Sequence, residues 1–245
     1  MLARISGGAP ANRDVNALNG IHPISNIEYK AFSTLNDAGF EFYESDEICD
    51  IEENFYTLNF SKLHPSLGIE DSFYVNVRGK ASLLRTHTTS SLAKALSSTK
   101  PEFRRFTLGK VYRNDNSPKH LAFFTQVEGV ICERAANLSK VVALVNYFIC
   151  EILSAHAQIR IRRTSFPFTE PSVEIDLCCG KQFSSFKHDY NWLEVAGLGL
   201  VKQKVLTNLY SNFRNVYAFG LGLERLAMLK FNINNIRKFY TGLVL

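Results

Sequence analysis

Along residues 24–38, ISNIEYKAFSTLNDA, the apolar positions Ile24, Ile27, Ala31 and Leu35 recur near helical spacing, and Gly39 stands where a helix would stop. Residues 40–60 mix aromatic and polar positions without a clear period and read as extended chain with a turn. In SLLRTHTTSSLAKALSS (82–98) a short strand leads into Thr/Ser capping candidates and then a helix that ends at Lys100-Pro101. Residues 106–112 and 122–132 are strand-like and flank the turn-rich, charged NDNSPKH, which predicts a hairpin with a long functional loop. Residues 138–155 form the clearest helix, with Asn137 or Ser139 as its cap. Isoleucine alternates with arginine over 158–163, and further strands are expected at 173–178 and 192–196. YAFGLGLERLAMLKFNI then passes from a short strand through glycines into a helix. Strands cluster in the middle of the chain with helices flanking them, so the pattern predicts an α+β fold built on an antiparallel sheet.

One segment departs from this regularity. In SFPFTEPSVEID (165–176) two prolines and two phenylalanines bracket a glutamate ahead of an alternating acidic tail. Proline removes a ladder donor and belongs on sheet edges or bends, which predicts a rigid bend here anchored by a VEID strand.

Composition narrows the setting. With 245 residues, 46% of them hydrophobic, the chain can bury a substantial core. A net charge of +5 is compatible with a polyanionic partner without identifying one. Five cysteines, no C-x-x-C and the adjacent Cys178 and Cys179 suit buried or incidental thiols in a reducing cytosol. The longest apolar stretch, 141–153, is broken by Asn146 and Glu151, so no membrane span is expected. Residues 1–20 lack a signal-peptide core and read as a flexible leader ahead of a single domain over 21–245. A cytoplasmic location is expected.

Three clusters carry candidate chemistry. Gly220-Leu-Gly-Leu-Glu-Arg-Leu-Ala sets Arg225 one turn inside a helix behind two glycines. Glycines let a ligand approach the backbone, and a guanidinium there clamps a phosphate or stacks on a base; the pattern also suits a plain helix entrance. In Gly109-Lys-Val-Tyr-Arg-Asn-Asp115 an arginine ends a strand ahead of an acid and a loop. That suits either a surface ion pair or Arg113 aimed at a phosphate, with Asp115 holding a metal or an amine. In Phe123-Phe-Thr-Gln-Val-Glu-Gly129, Gln126 and Glu128 share one strand face. Facing inward, an amide beside a carboxylate suits a primary ammonium; facing outward, the pair is merely solvated.

Taken together these clusters are similar to motifs 2 and 3 of class II aminoacyl-tRNA synthetases. With NFYTLNF (54–60), LLRTHT (83–88), SFPFTEPS and WLEVAGLG (192–199), the chain resembles, in order from about His22 to Phe239, the α-subunit family of bacterial phenylalanyl-tRNA synthetases. The resemblance implies a six-stranded antiparallel sheet flanked by helices, with ATP and L-phenylalanine on one face. It implies formation of phenylalanyl-adenylate and acyl transfer to tRNA(Phe). Arg113 then corresponds to the arginine that holds the α-phosphate and substrate carboxylate, and Arg225 to the arginine across the nucleotide. Asp115 and His120 lie near the phosphates, and Phe124 stacks on adenine. His87, Gln126 and Glu128 orient the polar end of phenylalanine, with Thr89 beside the ammonium site. Phe166 and Phe168 meet its ring edge-to-face, and Ala218 floors the pocket. Glu170 is implied as a Mg2+ ligand shared with a β subunit in an α2β2 assembly. On this reading the prolines fix a specificity loop, and tyrosine errors are expected to be removed on the partner chain, because an apolar pocket rejects an added hydroxyl weakly.

The chain departs from the family pattern at Asp46, where motif 1 has proline, and at Thr89, Lys110 and Thr125, where serine, arginine and histidine are usual. Lys202-Gln203 replaces His-Pro, and Arg163 and Ser165 replace the Pro and Tyr ahead of FPF. The family's N-terminal coiled-coil arm is expected to be missing, leaving a pared-down catalytic core. The alternative is a binding or regulatory relative that keeps the fold and has lost catalysis. The joint presence of Arg113, Glu128, Glu170 and Arg225 argues against it.

Overall fold

The computed structural model describes residues 20–97, 100–114, 121–178, 192–209 and 211–240. Helix α1 (Pro23–Asp37) starts behind His22, whose Nδ1 accepts the Ile24 amide at 3.3 Å. Pro23 takes the first position, where its missing N–H leaves nothing unpaired. Ile24, Ile27, Ala31 and Leu35 are buried as their spacing predicts, and Gly39 closes the helix at φ 81°. Between α1 and the first long hairpin lie β1 (Glu41–Phe42), β2 (Ile48–Cys49), β3 (Tyr74–Val77), β4 (Lys80–Leu84) and the single-turn α2 (Leu92–Ala95). The hairpin is β5 (Phe103–Tyr112) and β6 (Phe123–Cys132), and α3 (Leu138–Leu153) follows, capped by Asn137 through the Lys140 amide at 3.0 Å. A second hairpin, β7 (Ile159–Phe166) and β8 (Thr169–Cys178), precedes β9 (Trp192–Val201), α4 (Gln203–Asn208), β10 (Val216–Gly222) and α5 (Leu223–Phe231).

The main sheet has the order β1-β5-β6-β10-β9-β8-β7, and a small second sheet has the order β2-β4-β3. Six antiparallel strands are as the resemblance implies. The seventh, two-residue β1, arises because the chain leaving α1 runs parallel to β5, Glu41 opposite Arg105 and Phe42 opposite Phe106. One face of the sheet carries Phe106, Val127, Ile131, Val173, Ile175 and Phe219 into a core shared with α1, α3 and α5. Alternate residues point the other way. There Val130, Val216 and Ala218 pack with residues of α2 and α4, while Gln126 and Glu128 line a cavity. The opposed faces are thus a direct consequence of the period of two in FFTQVEGVIC.

Three expectations are corrected. Residues 40–60 are not simply extended: Glu52–Tyr56 form a wide helical turn that buries Asn54 and Phe55. Asn54 donates to Thr86 Oγ1 at 2.8 Å and accepts the Thr86 amide at 3.2 Å, so a side chain fixes the turn and period alone does not reveal it. The helix expected after LLRTHT shrinks to a tight turn, Thr88–Ser91, and the one-turn α2. Ser90 and Ser91 hydroxyls donate to the carbonyls of His87 and Thr88 at 3.1 and 2.7 Å, competing with a longer helix.

The third correction concerns SFPFTEPSVEID. Pro167 does sit at a bend, the tip of the β7–β8 hairpin, but Pro171 lies inside β8, which is paired on both sides. The pairing with β9 shifts between Thr169–Val201 and Ser172–Gly199, and this bulge accommodates the residue that cannot donate. Further along, Arg160 faces Asp176 and Arg162 faces Glu174. Asp176, 1% exposed, takes Arg160 Nη2 at 2.8 Å and Arg162 Nε at 2.6 Å. Burial alone would raise its pKa, but these two guanidinium contacts outweigh burial and hold the carboxyl below its usual range. The Ile/Arg alternation and VEID are therefore two sides of one ladder.

Two glycines separate packing from access. A Cβ on Gly129 would lie 2.1 Å from the Phe219 ring, whereas one on Gly222 would meet nothing within 4 Å. Gly129→Ala is expected to cost about 1–3 kcal/mol by overpacking. Gly222→Ala should stay within about 0.5 kcal/mol of the parent. Urea titration of both variants checks this, and equal losses would contradict it.

Candidate active site

The cavity on the open face of the sheet has a volume of about 620 Å³, within the range of small-molecule sites. Its floor comes from β6, β9 and β10, and its walls from the turn after β4, the β7–β8 tip, Phe60 and the start of α5. The tip is held by three hydrogen bonds from two residues. Asn59 Nδ2 donates to Pro167 O at 2.9 Å, the Lys202 amide donates to Phe168 O at 2.9 Å, and Lys202 Nζ donates to Phe166 O at 3.2 Å. Phe166 and Phe168 stack at 5.8 Å and 10°, Phe168 follows Phe60 at 6.2 Å, and Phe60 stacks on His87 at 5.7 Å and 12°. Gly197 leaves room for this file, since a Cβ there would come within 2.8 Å of the Phe166 ring.

The polar end is built around Glu128, which is 2% exposed. Its Oε2 accepts the hydroxyls of Thr88 at 3.1 Å and Thr89 at 2.5 Å, while Oε1 is buried without a hydrogen-bond partner among the described residues. Burial pushes its pKa up to about 7, against the lowering effect of the two threonine hydroxyls and Arg85. Both ring nitrogens of His87 are likewise buried and unpartnered. Burial, reinforced by Arg113, drives its pKa down to about 3, so the imidazole is neutral. Gln126 accepts the Thr88 amide at 3.4 Å and lies over Gly220, where a Cβ would be 2.7 Å from its Nε2. The open Glu128 oxygen, an amide oxygen and the one acceptor nitrogen of a neutral imidazole form a receptor for a hydrogen-bond-donating cation.

Two arginines line the same cavity. Arg113, just beyond β5, donates from its amide to Ala122 O at 2.9 Å and from Nε to Thr86 O at 3.4 Å. Its guanidinium lies 5.0 Å above the Phe124 ring. Arg225, in the first turn of α5, donates to Glu194 O at 2.7 Å and lies 3.7 Å from Glu194 Oε1. Two guanidiniums on a face otherwise walled by aromatic rings suit a ligand that is both anionic and flat.

Of the site residues expected from sequence, His87, Thr89, Arg113, Phe124, Gln126, Glu128, Phe166, Phe168, Ala218 and Arg225 all line this cavity. Asp115 and His120 lie outside the described residues. Glu170 does not join the others: its side chain is 79% exposed, outside the cavity, 3.9 Å from Lys202 Nζ. No group of three or more His, Cys, Asp or Glu side chains is placed to hold a metal among the described residues. Sequence reasoning missed roles for Phe60, Thr88, Glu194 and Lys202. Phe60 and Glu194 sit inside NFYTLNF and WLEVAGLG, so the motif was visible while the role was not.

No described helix is long and apolar enough to cross a membrane. Residues 10–244 match the family model of the class II core domain of tRNA synthetases (F). The chain is 37% identical over 228 residues to a phenylalanine–tRNA ligase alpha subunit of Ehrlichia ruminantium, covering 91% of this chain and 64% of that one. Against the alpha subunit of Aquifex aeolicus it is 38% identical over 236 residues, 94% of this chain and 68% of the relative. The chain thus spans about two thirds of the length of these relatives. Among solved structures, a pyrrolysyl-tRNA synthetase from Desulfitobacterium hafniense superposes with a TM-score of 0.70 at 16% identity, over 94% of this chain and 78% of that one, which shows a shared fold. The sheet, the cavity it floors and these matches lead to one conclusion: the chain belongs to the class II tRNA synthetase core domain (F) family, alongside phenylalanine–tRNA ligase alpha subunits.

Proposed function

We propose that this chain is the catalytic α subunit of a phenylalanine–tRNA ligase, acting in the cytoplasm with a β subunit in an α2β2 assembly. It activates L-phenylalanine with ATP and transfers the acyl group to tRNA(Phe). The observation that carries this reading is Glu128, whose buried, unpartnered Oε1 lines the same cavity as Arg113 and Arg225. A carboxylate kept out of water with one open oxygen needs a cation, and the α-ammonium of an amino acid supplies it. The named relatives are ligase subunits, which supports catalysis over a relative that only binds.

In this reading the ring of phenylalanine enters the side of the cavity walled by Phe166 and Phe168 above Ala218. Its ammonium meets Glu128, Gln126 and His87, with Thr89 fixing the Glu128 carboxylate. ATP lies with adenine on Phe124 and its phosphates toward Arg113, Asp115, His120 and Arg225. The substrate carboxylate attacks the α-phosphorus; a carboxyl O–P bond forms, the bond to the bridging oxygen breaks, and pyrophosphate leaves. Two anions must approach, so the guanidiniums lower the barrier by holding charge that grows in the transition state. The protein supplies no covalent nucleophile; holding the reactants in line supplies much of the rate. A terminal hydroxyl of tRNA then takes the acyl group and releases AMP. Enzymes of this class use ATP with a divalent cation, and Glu170 would offer Mg2+ a single exposed carboxylate that a β subunit completes.

The complex of this chain with its β subunit is expected to catalyse phenylalanine-dependent exchange of pyrophosphate into ATP. Arg113→Ala should lower kcat/KM about 10²–10³-fold. No exchange by the complex, or parent-like exchange by the variant, overturns the proposal. Phe168→Ala is expected to raise the KM for phenylalanine about tenfold or more while leaving that for ATP within about twofold, since it removes ring contacts from one substrate only. Equal changes in both constants would count against the assignment of the aromatic wall.

A further inference from the structure

Pairing between β6 and β10 ends at Gln126–Gly222. The next amide of β6 is taken up by a side chain: Thr125 N–H donates to Glu224 Oε1 at 2.7 Å, and the Tyr240 hydroxyl donates to the same oxygen at 2.7 Å. Glu224 is 1% exposed, and its Oε2 is buried with no hydrogen-bond partner among the described residues. Burial raises the carboxyl's pKa despite the bonds from Tyr240 and Thr125. Glu224 also lines the cavity, and a buried carboxyl that spends one oxygen on two donors and leaves the other unpaired is costly, so its position calls for a role.

The two ends of this contact both adjoin cavity residues. Thr125 follows Phe124 on β6, and Glu224 precedes Arg225 on α5. Both Phe124 and Arg225 line the cavity. We infer that Glu224 is a positioning residue: by joining the end of β6 to the first turn of α5 it sets the spacing between Phe124 and Arg225. Resting on the proposed function, this makes Glu224 a determinant of how ATP is held. The phenylalanine end is insulated from it. Gln126 is fixed by its own pairing with Gly109 and Gly222 and by the Thr88 amide. Glu128 is fixed by Thr88 and Thr89. Tyr240 adds a second anchor from the chain beyond α5, and its ring also packs at 4.8 Å on Phe123.

The test compares Glu224→Asp, which withdraws the acceptor by one methylene, with Glu224→Gln, which keeps an oxygen in place. Both are measured in the complex with the β subunit by pyrophosphate exchange, and in the chain itself by hydrogen exchange at the Thr125 amide. Glu224→Asp is expected to speed exchange of that amide and raise the KM for ATP, each about tenfold, as for the loss of one buried hydrogen bond. The KM for phenylalanine should stay within about twofold, a split that a purely structural role would not produce. Glu224→Gln should restore the parent's ATP constant to within about threefold. Equal shifts in both KM values, an unchanged Thr125 amide in Glu224→Asp, or an Asp-like effect of Glu224→Gln overturns the inference. A parent complex without phenylalanine-dependent exchange would refute the proposed function instead, and amide exchange together with calorimetric ATP affinity still decides the role of Glu224.

Discussion

Glu128 is a carboxylate on the floor of a β-sheet with one oxygen satisfied by two threonine hydroxyls and the other left open. Keeping it there costs desolvation, expressed as a pKa raised to about 7. The surrounding architecture reads as the means of bearing that cost. The register of β6 turns Glu128 to the cavity side and Val127 to the core side, so a shift of one residue would invert both. The turn after β4 stays tight because its hydroxyls are spent on Glu128 and on nearby carbonyls, which prevents a long helix.

That turn is itself secured from below. Arg85, 1% exposed, donates from Nε to Lys110 O at 2.7 Å and from Nη1 to Ser45 Oγ at 2.6 Å, tying β4 to β5. Gly109 makes this possible, because a Cβ there would lie 2.3 Å from the guanidinium. On the opposite wall, Lys202 and Asn59 brace the β7–β8 tip from two distant parts of the chain. The aromatic wall and the polar end are linked through residues 54–60, where Asn54 bonds Thr86, Asn59 holds the hairpin tip and Phe60 stacks on His87.

Much of this was legible in the sequence, for physical reasons that can be named. The helical period of α1 and α3, the cap at Asn137 and the alternation in FFTQVEG are local signals, and each predicts which face is buried. Motif order then named ten residues that line the cavity, while others such as Phe60, Glu194 and Glu224 line it without having been singled out. What stayed hidden depends on partners far along the chain. The turn at Glu52–Tyr56 exists because Asn54 meets Thr86, and Pro171 enters an interior strand because a bulge against Gly199 excuses its missing donor. Lys202 looked like a mere departure from His-Pro, yet it holds the hairpin tip. Glu170 was legible as a motif residue, but it stands apart from the cavity.

In the proposed function, Glu128 receives the ammonium group of the amino acid. A raised carboxyl pKa means that near pH 6 most of the free protein carries a proton on Glu128, and an arriving ammonium must displace it. Calorimetry of phenylalanine binding near pH 6, run in two buffers of different ionisation enthalpy, measures that proton directly. Release of most of one proton is expected, fading as the pH rises above about 8 and absent in Glu128→Gln. Binding with no proton release near pH 6, or the same release from Glu128→Gln, would contradict it.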